Sequence, residues 1–225
     1  MVAEYVILRV YYFTSLRRSS ANWVRRSDNT DVILPNMKLE SQLTFFADLD
    51  IVLNDGVTVD DLLAMWPRER YEQEPFDHLL CTFGFELYPN RDPWEFSSSV
   101  LLFDCECISD ESSYQELISD ICELAGTPDA VQDFEGEIDL AKDSGWLRCT
   151  VNGKPKSWDV VVGGDWVDDR MVFAFMVMLD TDDRQFYYRS DGQGMTLIYT
   201  APEICERLNA VLTSPLSPVS SVPAE

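Results

Sequence analysis

The chain has 225 residues, of which 46% are hydrophobic and 12% aromatic, and its formal net charge at pH 7 is −23. This apolar content excludes a chain that is disordered throughout. No stretch approaches the roughly 18 to 20 uninterrupted apolar residues of a membrane helix. A surface of this charge repels nucleic acid and anionic membranes, and attracts basic proteins.

The negative charge is unevenly distributed along the chain. Residues 1–40 carry six basic and four acidic side chains, whereas the other 185 residues carry 11 basic and 36 acidic ones. Thirteen carboxylates and one lysine lie between Asp104 and Asp143. Two interpretations stay open at this point, a charge-matched protein partner and a surface that only favours solubility.

The N-terminal apolar segment predicts the cellular location. Glu4 and Arg9 interrupt it, and no small-residue cleavage site follows, so the pattern favours a strand over a signal peptide. We therefore expect a cytoplasmic protein. In that compartment the six cysteines are expected to be reduced, mostly buried thiols.

Strand patterns dominate residues 1–90, which are expected to form an N-terminal α+β subdomain. One short helix is predicted between Thr58 and Pro67, because Thr58 and Asp61 form a capping box and proline ends a helix. The polar segment 67–77 is expected to be irregular. Three segments rich in β-branched and aromatic residues predict strands: 4–13, 43–53 and 79–88.

A boundary is expected at residues 89–97, where prolines and charges interrupt the pattern. Residues 97–213 are then expected to form a C-terminal α+β subdomain. The clearest helix is predicted over residues 110–125, where apolar side chains recur with helical spacing. Its other face is acidic, with Glu116, Asp120 and Glu123.

The rest of the C-terminal subdomain is predicted to be mainly β. Asn152-Gly153 predicts a tight hairpin turn, in which both residues need positive φ. Thr200 and Glu203 predict the capping box of a last helix that runs to about Leu212. Residues 214–225 are rich in proline and serine and are expected to be a disordered tail. The predicted strands are 99–108, 134–140, 145–151, 157–163, 170–180 (buried on both faces), 185–190 and 195–200.

These elements predict an α+β fold of mostly antiparallel β-sheets, with about three short-to-medium helices packed against them. Catalytic patterns are sparse. A protease triad could be built only around the single histidine, His78, for which a structural role is expected. The glycine pairs at 163–165 and 191–194 lack the context of a phosphate-binding loop. We therefore predict no catalytic residues, no metal site and no cofactor. A carboxylate-based metal-binding hydrolase centred on Asp165, Asp168 and Asp169 is an alternative.

The same acidic segment is also a candidate binding surface. Trp166 stands among these acids on a loop expected between two strands, and a tryptophan ringed by carboxylates can anchor a partner's arginine or lysine. Packing of Trp166 in the core, as expected for Trp146 and Trp158, is the alternative. The candidate partner-binding residues are Glu116, Asp120, Glu123, Glu135, Glu137, Asp165, Trp166, Asp168 and Asp169.

Residues 97–213 resemble the cytosolic immunity proteins encoded beside bacterial polymorphic toxins, which are delivered by contact or by secretion systems. The similar segments are GWLRCTV-NG-KPKSWDVVV, GGDWVDDR, QFYYRSDGQGMTLIYT and TAPEICERL. The resemblance implies a non-catalytic protein of bacterial competition that binds and blocks a cognate toxin domain. The expected partner is that toxin or another basic protein, such as a nucleic-acid-targeting enzyme, and neither nucleic acid nor membrane. The basic segment 17–26 departs from a uniformly acidic inhibitor, and an acidic adaptor without inhibitory activity is the alternative.

Overall fold

The computed structural model describes residues 37–87 and 95–221, which contain seven α-helices and seven β-strands. The strand expected at 4–13 and the basic segment 17–26 lie outside these residues. The helices are α1 (Leu39–Ala47), α2 (Val59–Met65), α3 (Arg68–Gln73), α4 (Asp77–Phe83), α5 (Glu111–Leu124), α6 (Asp169–Val177) and α7 (Pro202–Asn209). The strands are β1 (Leu101–Asp104), β2 (Val131–Asp139), β3 (Ser144–Val151), β4 (Lys154–Val160), β5 (Gln185–Ser190), β6 (Gly194–Thr200) and β7 (Ser217–Pro218).

The strands form two antiparallel sheets. The central sheet has the order β1-β6-β5-β7, and the outer sheet has the order β2-β3-β4. Every residue of β6 is buried. Because successive side chains of a strand point to opposite faces, Leu197 and Tyr199 pack into one hydrophobic core and Ile198 packs into another.

The central sheet therefore separates two cores. The first core contains α5, α6 and the inner face of the outer sheet. The second core joins α1 to α4 with α7, whose Cys205 and Leu208 are buried there. The division of the chain into subdomains 1–90 and 97–213 stays a prediction. Among the described helices, none combines the length and the hydropathy that crossing a bilayer requires.

Asp77, the first residue of α4, joins three parts of the chain. Its Oδ1 accepts a hydrogen bond from Arg189 Nη1 of β5 at 2.7 Å, and Arg189 Nη2 donates to the Asp77 carbonyl at 2.7 Å. The backbone N–H groups of Thr213 and Ser214, which follow α7, donate to the same carboxylate at 2.8 and 3.2 Å. The Arg189 and Asp77 side chains are 14% and 18% exposed. This shielded carboxylate holds the segment that follows α7 against α4 and the central sheet.

The α+β class and the antiparallel sheets agree with the sequence prediction, but the expected number of helices is wrong. Three predicted strands, at 43–53, 79–88 and 170–180, are wholly or partly replaced by α1, α4 and α6. The segment expected to be irregular, 67–77, contains α3. These helices are six to nine residues long, and in so short an apolar run a helix and a strand give similar patterns.

Helix α6 is the clearest of these corrections. Met171, Val172, Phe175 and Met176 are buried at helical spacing, and Phe173 is buried as well. Side chains are therefore buried around most of the helix, and the polar face that normally identifies a helix is missing. The strand that is buried on both faces is β6.

Several local predictions are confirmed. The Thr58 N–H donates to Asp61 Oδ2 at 2.7 Å at the start of α2, as the capping box requires. Helix α5 occupies the segment predicted for it. Asn152 and Gly153 have φ of 49° and 74° in the β3–β4 turn. The last helix differs in detail, because Ala201 and not Thr200 is its N-cap residue.

Residues 214–221 differ from the disordered tail that their composition predicts. Strand β7 pairs with Tyr187 and Tyr188 of β5, and Leu216 and Val219 are buried. The side chain of Asn209 accepts from the Leu216 N–H at 2.8 Å and donates to its carbonyl at 2.9 Å. Two apolar side chains and these hydrogen bonds fix a segment whose other residues are proline and serine.

His78 of α4 lies between aromatic rings. Its ring centroid is 5.3 Å from that of Trp66 and 5.2 Å from that of Tyr71. Burial, and secondarily the charges of Arg70 and Arg189, lowers the pKa of His78 to about 4. Its Nε2 has no hydrogen-bond partner in the described part of the chain. The neutral imidazole is therefore the form that the fold accepts.

We expect Asp77→Asn to lower the free energy of unfolding by about 2–3 kcal/mol, because the Arg189 charge would stay shielded without its counter-charge. Urea unfolding at neutral pH measures this change. The control is Asp139→Asn, which removes the carboxylate of an exposed pair with Lys142 and should lower the free energy of unfolding much less, because solvent screens the pair. Equal losses in the two variants would contradict the role given to Asp77.

We also expect His78 to make stability fall with acidification. The unfolded imidazole binds its proton near pH 6.5 and the folded one only near pH 4, so the unfolded state holds more protons between these values. The contribution of neutral His78 to the free energy of unfolding is fully present above pH 6.5. The free energy of unfolding then falls by about 2–3 kcal/mol as the pH is lowered towards 4. His78→Gln should remove this slope in urea titrations at a series of pH values. An unchanged slope would show that other groups cause the acid sensitivity.

Candidate protein-binding surface

The outer sheet has one face on the core and one face on solvent. Leu147, Cys149 and Val151 of β3 are buried in the first core, where α5 also packs. The intervening residues Trp146 and Arg148 must point the other way, because side chains alternate along a strand. We call this solvent-facing side of β2, β3 and β4 the outer face.

Strand register places acidic residues beside Trp146 on the outer face. Glu137 of β2 and Asp159 of β4 are its partners on the two sides. In the next row Arg148 lies between Glu135 and Ser157. Glu135, Glu137, Arg148 and Asp159 are all exposed. Residues paired in this way have Cβ atoms about 4.5–5.5 Å apart, so a group over the Trp146 ring is within reach of both flanking carboxylates.

Val161 enlarges the apolar part of this surface. It follows β4 directly and is 56% exposed, so strand alternation places it on the same side as Asp159. Its diagonal neighbour across the strands is Trp146. Asp139 and Ser144 form the adjoining row at the edge of β2 and β3. The outer face therefore combines an aromatic and an aliphatic side chain with a rim of carboxylates.

Trp146 carries an internal cation–π contact. The guanidinium carbon of Arg148 lies 4.5 Å from the centroid of its ring. The expectation that Trp146 packs in the core is wrong, since Leu147, Cys149 and Val151 already fill the buried positions of β3. The signal was present in the sequence as the alternation of GWLRCTV. Trp158 packs against the first core, as expected.

The predicted partner-binding acids divide between separate surfaces. Glu135 and Glu137 lie on the outer face. Glu116, Asp120 and Glu123 lie on α5, which packs on the inner face of the outer sheet, so they point to a different side of the protein. Glu116 and Glu123 are exposed and Asp120 is partly buried.

Glu95 is a carboxyl that sequence reasoning missed beside the α5 acids. Burial, followed by the charges of Asp120, Glu123 and Glu86, raises its pKa to about 7. No sequence signal identified it, because residue 95 fell in the predicted boundary between subdomains. The acidic side of α5 therefore has a smaller negative charge below neutral pH than its residue types suggest.

The GGDWVDDR segment connects β4 to α6, and not two strands as expected. Trp166 is 38% exposed and pairs through its backbone with Glu106. Asp165 and Asp169 are exposed. The segment is anchored to the chain before α5, because the Asp165 carbonyl accepts from the Ile108 N–H at 2.9 Å.

Asp168 of this segment is an internal residue and not part of the exposed surface. It is 5% exposed, and its carboxylate accepts from the Val161 N–H at 2.9 Å and from Arg170 at 3.2 Å. Its own N–H donates to the Tyr114 hydroxyl of α5 at 2.9 Å. Burial favours a raised pKa for Asp168, but the hydrogen bonds from Arg170 and Val161 outweigh it and the pKa is lowered. Asp168 thus fixes the end of β4, next to the outer face.

Among the described residues, no three His, Cys, Asp or Glu side chains are grouped so as to hold a metal ion. All six cysteines are free thiols, four of them buried. Comparison of the chain with protein-family models, curated proteins and solved structures found no match.

We expect Asp168→Asn to lower the free energy of unfolding by about 1–2 kcal/mol at neutral pH, because it weakens the bonds from Val161 and Arg170. The folded pKa of Asp168 lies below its unfolded value, so this stabilisation is present above pH 4 and is lost as the pH falls through the folded pKa. Asp165→Asn and Asp169→Asn, at exposed positions, should stay within about 0.5 kcal/mol of the wild type. Comparable losses in all three variants, measured by urea unfolding, would contradict this assignment.

Proposed function

We propose that this chain is a non-catalytic binding protein that blocks a basic protein partner, as an immunity protein blocks its cognate toxin domain. The observation that supports the proposal is the outer face, where Glu137 and Asp159 flank the partly buried Trp146 on a three-stranded sheet. Aromatic side chains surrounded by polar rims are the common energetic centres of protein interfaces. Carboxylates at the rim select a partner of positive charge.

Charge and aromatic contact have different roles in such a complex. The net charge of −23 steers a basic partner to the surface and raises the association rate. Burial of Trp146 and Val161 then lengthens the residence time, which determines most of the affinity. Enzymes that act on nucleic acid have basic clefts, and an acidic protein that covers such a cleft excludes the substrate. We propose such a toxin, acting in the cytoplasm, as the partner.

The acidic surface of α5 is a second part of this proposal. Glu116 and Glu123 are exposed there, on a different side from the outer face. A partner of ordinary size is not required to contact both surfaces, since a standard interface covers about 800 Å² on each protein. The α5 acids then contribute to long-range attraction and the outer face contributes contacts.

An adaptor that binds the same partner without blocking it predicts the same contacts. An activity assay separates the two functions. The tagged protein is used to capture its partner from native lysate at low salt, the partner is identified, and its enzymatic activity is measured with increasing amounts of the protein. The proposal predicts loss of activity at a one-to-one ratio. Full activity of the partner in the saturated complex would support the adaptor function and contradict inhibition. Absence of a stoichiometric partner at low salt would contradict both functions.

We expect Glu135→Gln/Glu137→Gln to weaken binding of this partner by roughly three- to tenfold at low salt, mainly through a slower association rate. The matched control is Glu203→Gln/Glu206→Gln, which removes the same charge from exposed positions of α7 on the opposite side of the central sheet. Binding kinetics at two salt concentrations measure both variants. Equal effects of the two pairs would show that net charge, and not the outer face, controls association.

A further inference from the structure

We infer that Trp146 is the anchor for an arginine of the partner, and that Arg148 occupies the same ring in the free protein. Binding then exchanges one guanidinium for another on the ring of Trp146. This inference rests on the proposed function and specifies its central contact. It goes beyond charge attraction because it names one ring, one competing side chain and one class of ligand group.

Arg148 lies against the ring of Trp146 in the free protein. Trp146 and Arg148 are two residues apart on β3, so both side chains stand on the outer face, with the guanidinium 4.5 Å from the ring centroid. Arg148 is exposed and, among the described residues, makes no salt bridge, although Glu135 lies directly across from it. The ring therefore accepts a guanidinium from the solvent side, and little else holds Arg148 in place.

Two carboxylates flank the ring of Trp146 and favour an arginine as its ligand. Glu137 and Asp159 stand on either side of Trp146 in register. An arginine that arrives from solvent over the ring meets both carboxylates, whereas Arg148 reaches the ring along its own strand from the neighbouring row. Two carboxylates and an aromatic face match a planar guanidinium, which stacks and donates hydrogen bonds at the same time. A lysine ammonium has the charge but lacks the planar group, so arginine is preferred.

The internal contact between Arg148 and Trp146 is weak enough to be displaced. A cation–π pair at an exposed site contributes little, so its loss on exchange reduces the affinity for an incoming arginine only by about two- to fivefold. Removing Arg148 should therefore raise the affinity for an incoming arginine by about the same two- to fivefold. The same change also removes one positive charge from the surface, so a control with equal charge is needed. Lys154 supplies it, because it is exposed at the start of β4 beside the hairpin turn and is not paired with Trp146.

The test measures binding of two fluorescein-labelled peptides, hexa-arginine and hexa-lysine, by fluorescence anisotropy at low salt. The variants are Trp146→Ala, Trp146→Phe, Arg148→Gln and Lys154→Gln. We expect wild type to prefer hexa-arginine, and Trp146→Ala to lose this preference while Trp146→Phe retains part of it. Arg148→Gln should bind hexa-arginine about two- to fivefold tighter than Lys154→Gln does. In Trp146→Ala/Arg148→Gln this gain should disappear, since the two residues act through one contact.

Each other outcome contradicts a distinct statement. The exchange at Trp146 is contradicted if hexa-arginine binds but Trp146→Ala still prefers it to hexa-lysine. It is also contradicted if Arg148→Gln and Lys154→Gln bind hexa-arginine with equal affinity. In both cases the proposed function is unaffected. If wild type binds neither peptide, the proposed function loses its support as well. If wild type self-associates in sedimentation and Trp146→Ala abolishes this, the occupant is a second copy of the chain and not a basic partner. Thermal unfolding of Trp146→Ala and Trp146→Phe verifies that the fold is retained.

Discussion

Burial of β6 on both faces is the constraint on which the rest of the structure depends. Its alternate side chains belong to two different cores, so neither core can form without this strand in register. A one-residue shift would exchange the two sets of side chains and disrupt both cores together. The Asp77–Arg189 pair strengthens the same arrangement, since it connects α4 of the second core to the strand beside β6.

This arrangement leaves the outer face exposed to solvent. The first core covers one side of the outer sheet, and α5 contacts both β2 of the outer sheet and β1 of the central sheet. The other side of β2, β3 and β4 consequently stays in solvent with a fixed register. Strand pairing places Trp146 and its flanking acids in fixed register, which would reduce the entropy lost in the proposed binding. Asp168 also fixes the backbone at Val161, because its carboxylate accepts a hydrogen bond from the Val161 N–H.

The sequence predicted the secondary-structure elements that local residues determine. It did not predict the elements whose conformation depends on tertiary packing. Helix α5 has a polar face and a buried face, and the Asn152-Gly153 turn requires positive φ, so both were predictable. Helix α6 is buried around most of its surface, and its polar face is missing. The site followed the same rule. The alternation of GWLRCTV already indicated that Trp146 faces solvent, but its neighbours Glu137 and Asp159 follow from strand register, which no single segment contains.

Placing Arg148 on Trp146 also has a consequence for specificity. A tryptophan at the surface among carboxylates would attract many cationic groups in a cell, and a highly charged surface alone discriminates poorly between basic proteins. Displacement of Arg148 lowers the affinity of every incoming cation by the same small factor, so a cation that makes no other contact gains little from the ring. In the proposed complex, an arginine presented by a complementary surface displaces Arg148, because neighbouring contacts with Val161 and the rim acids add to the exchange. Under this proposal, charge governs how often basic partners arrive, and the contacts made together with the ring of Trp146 govern which of them stay.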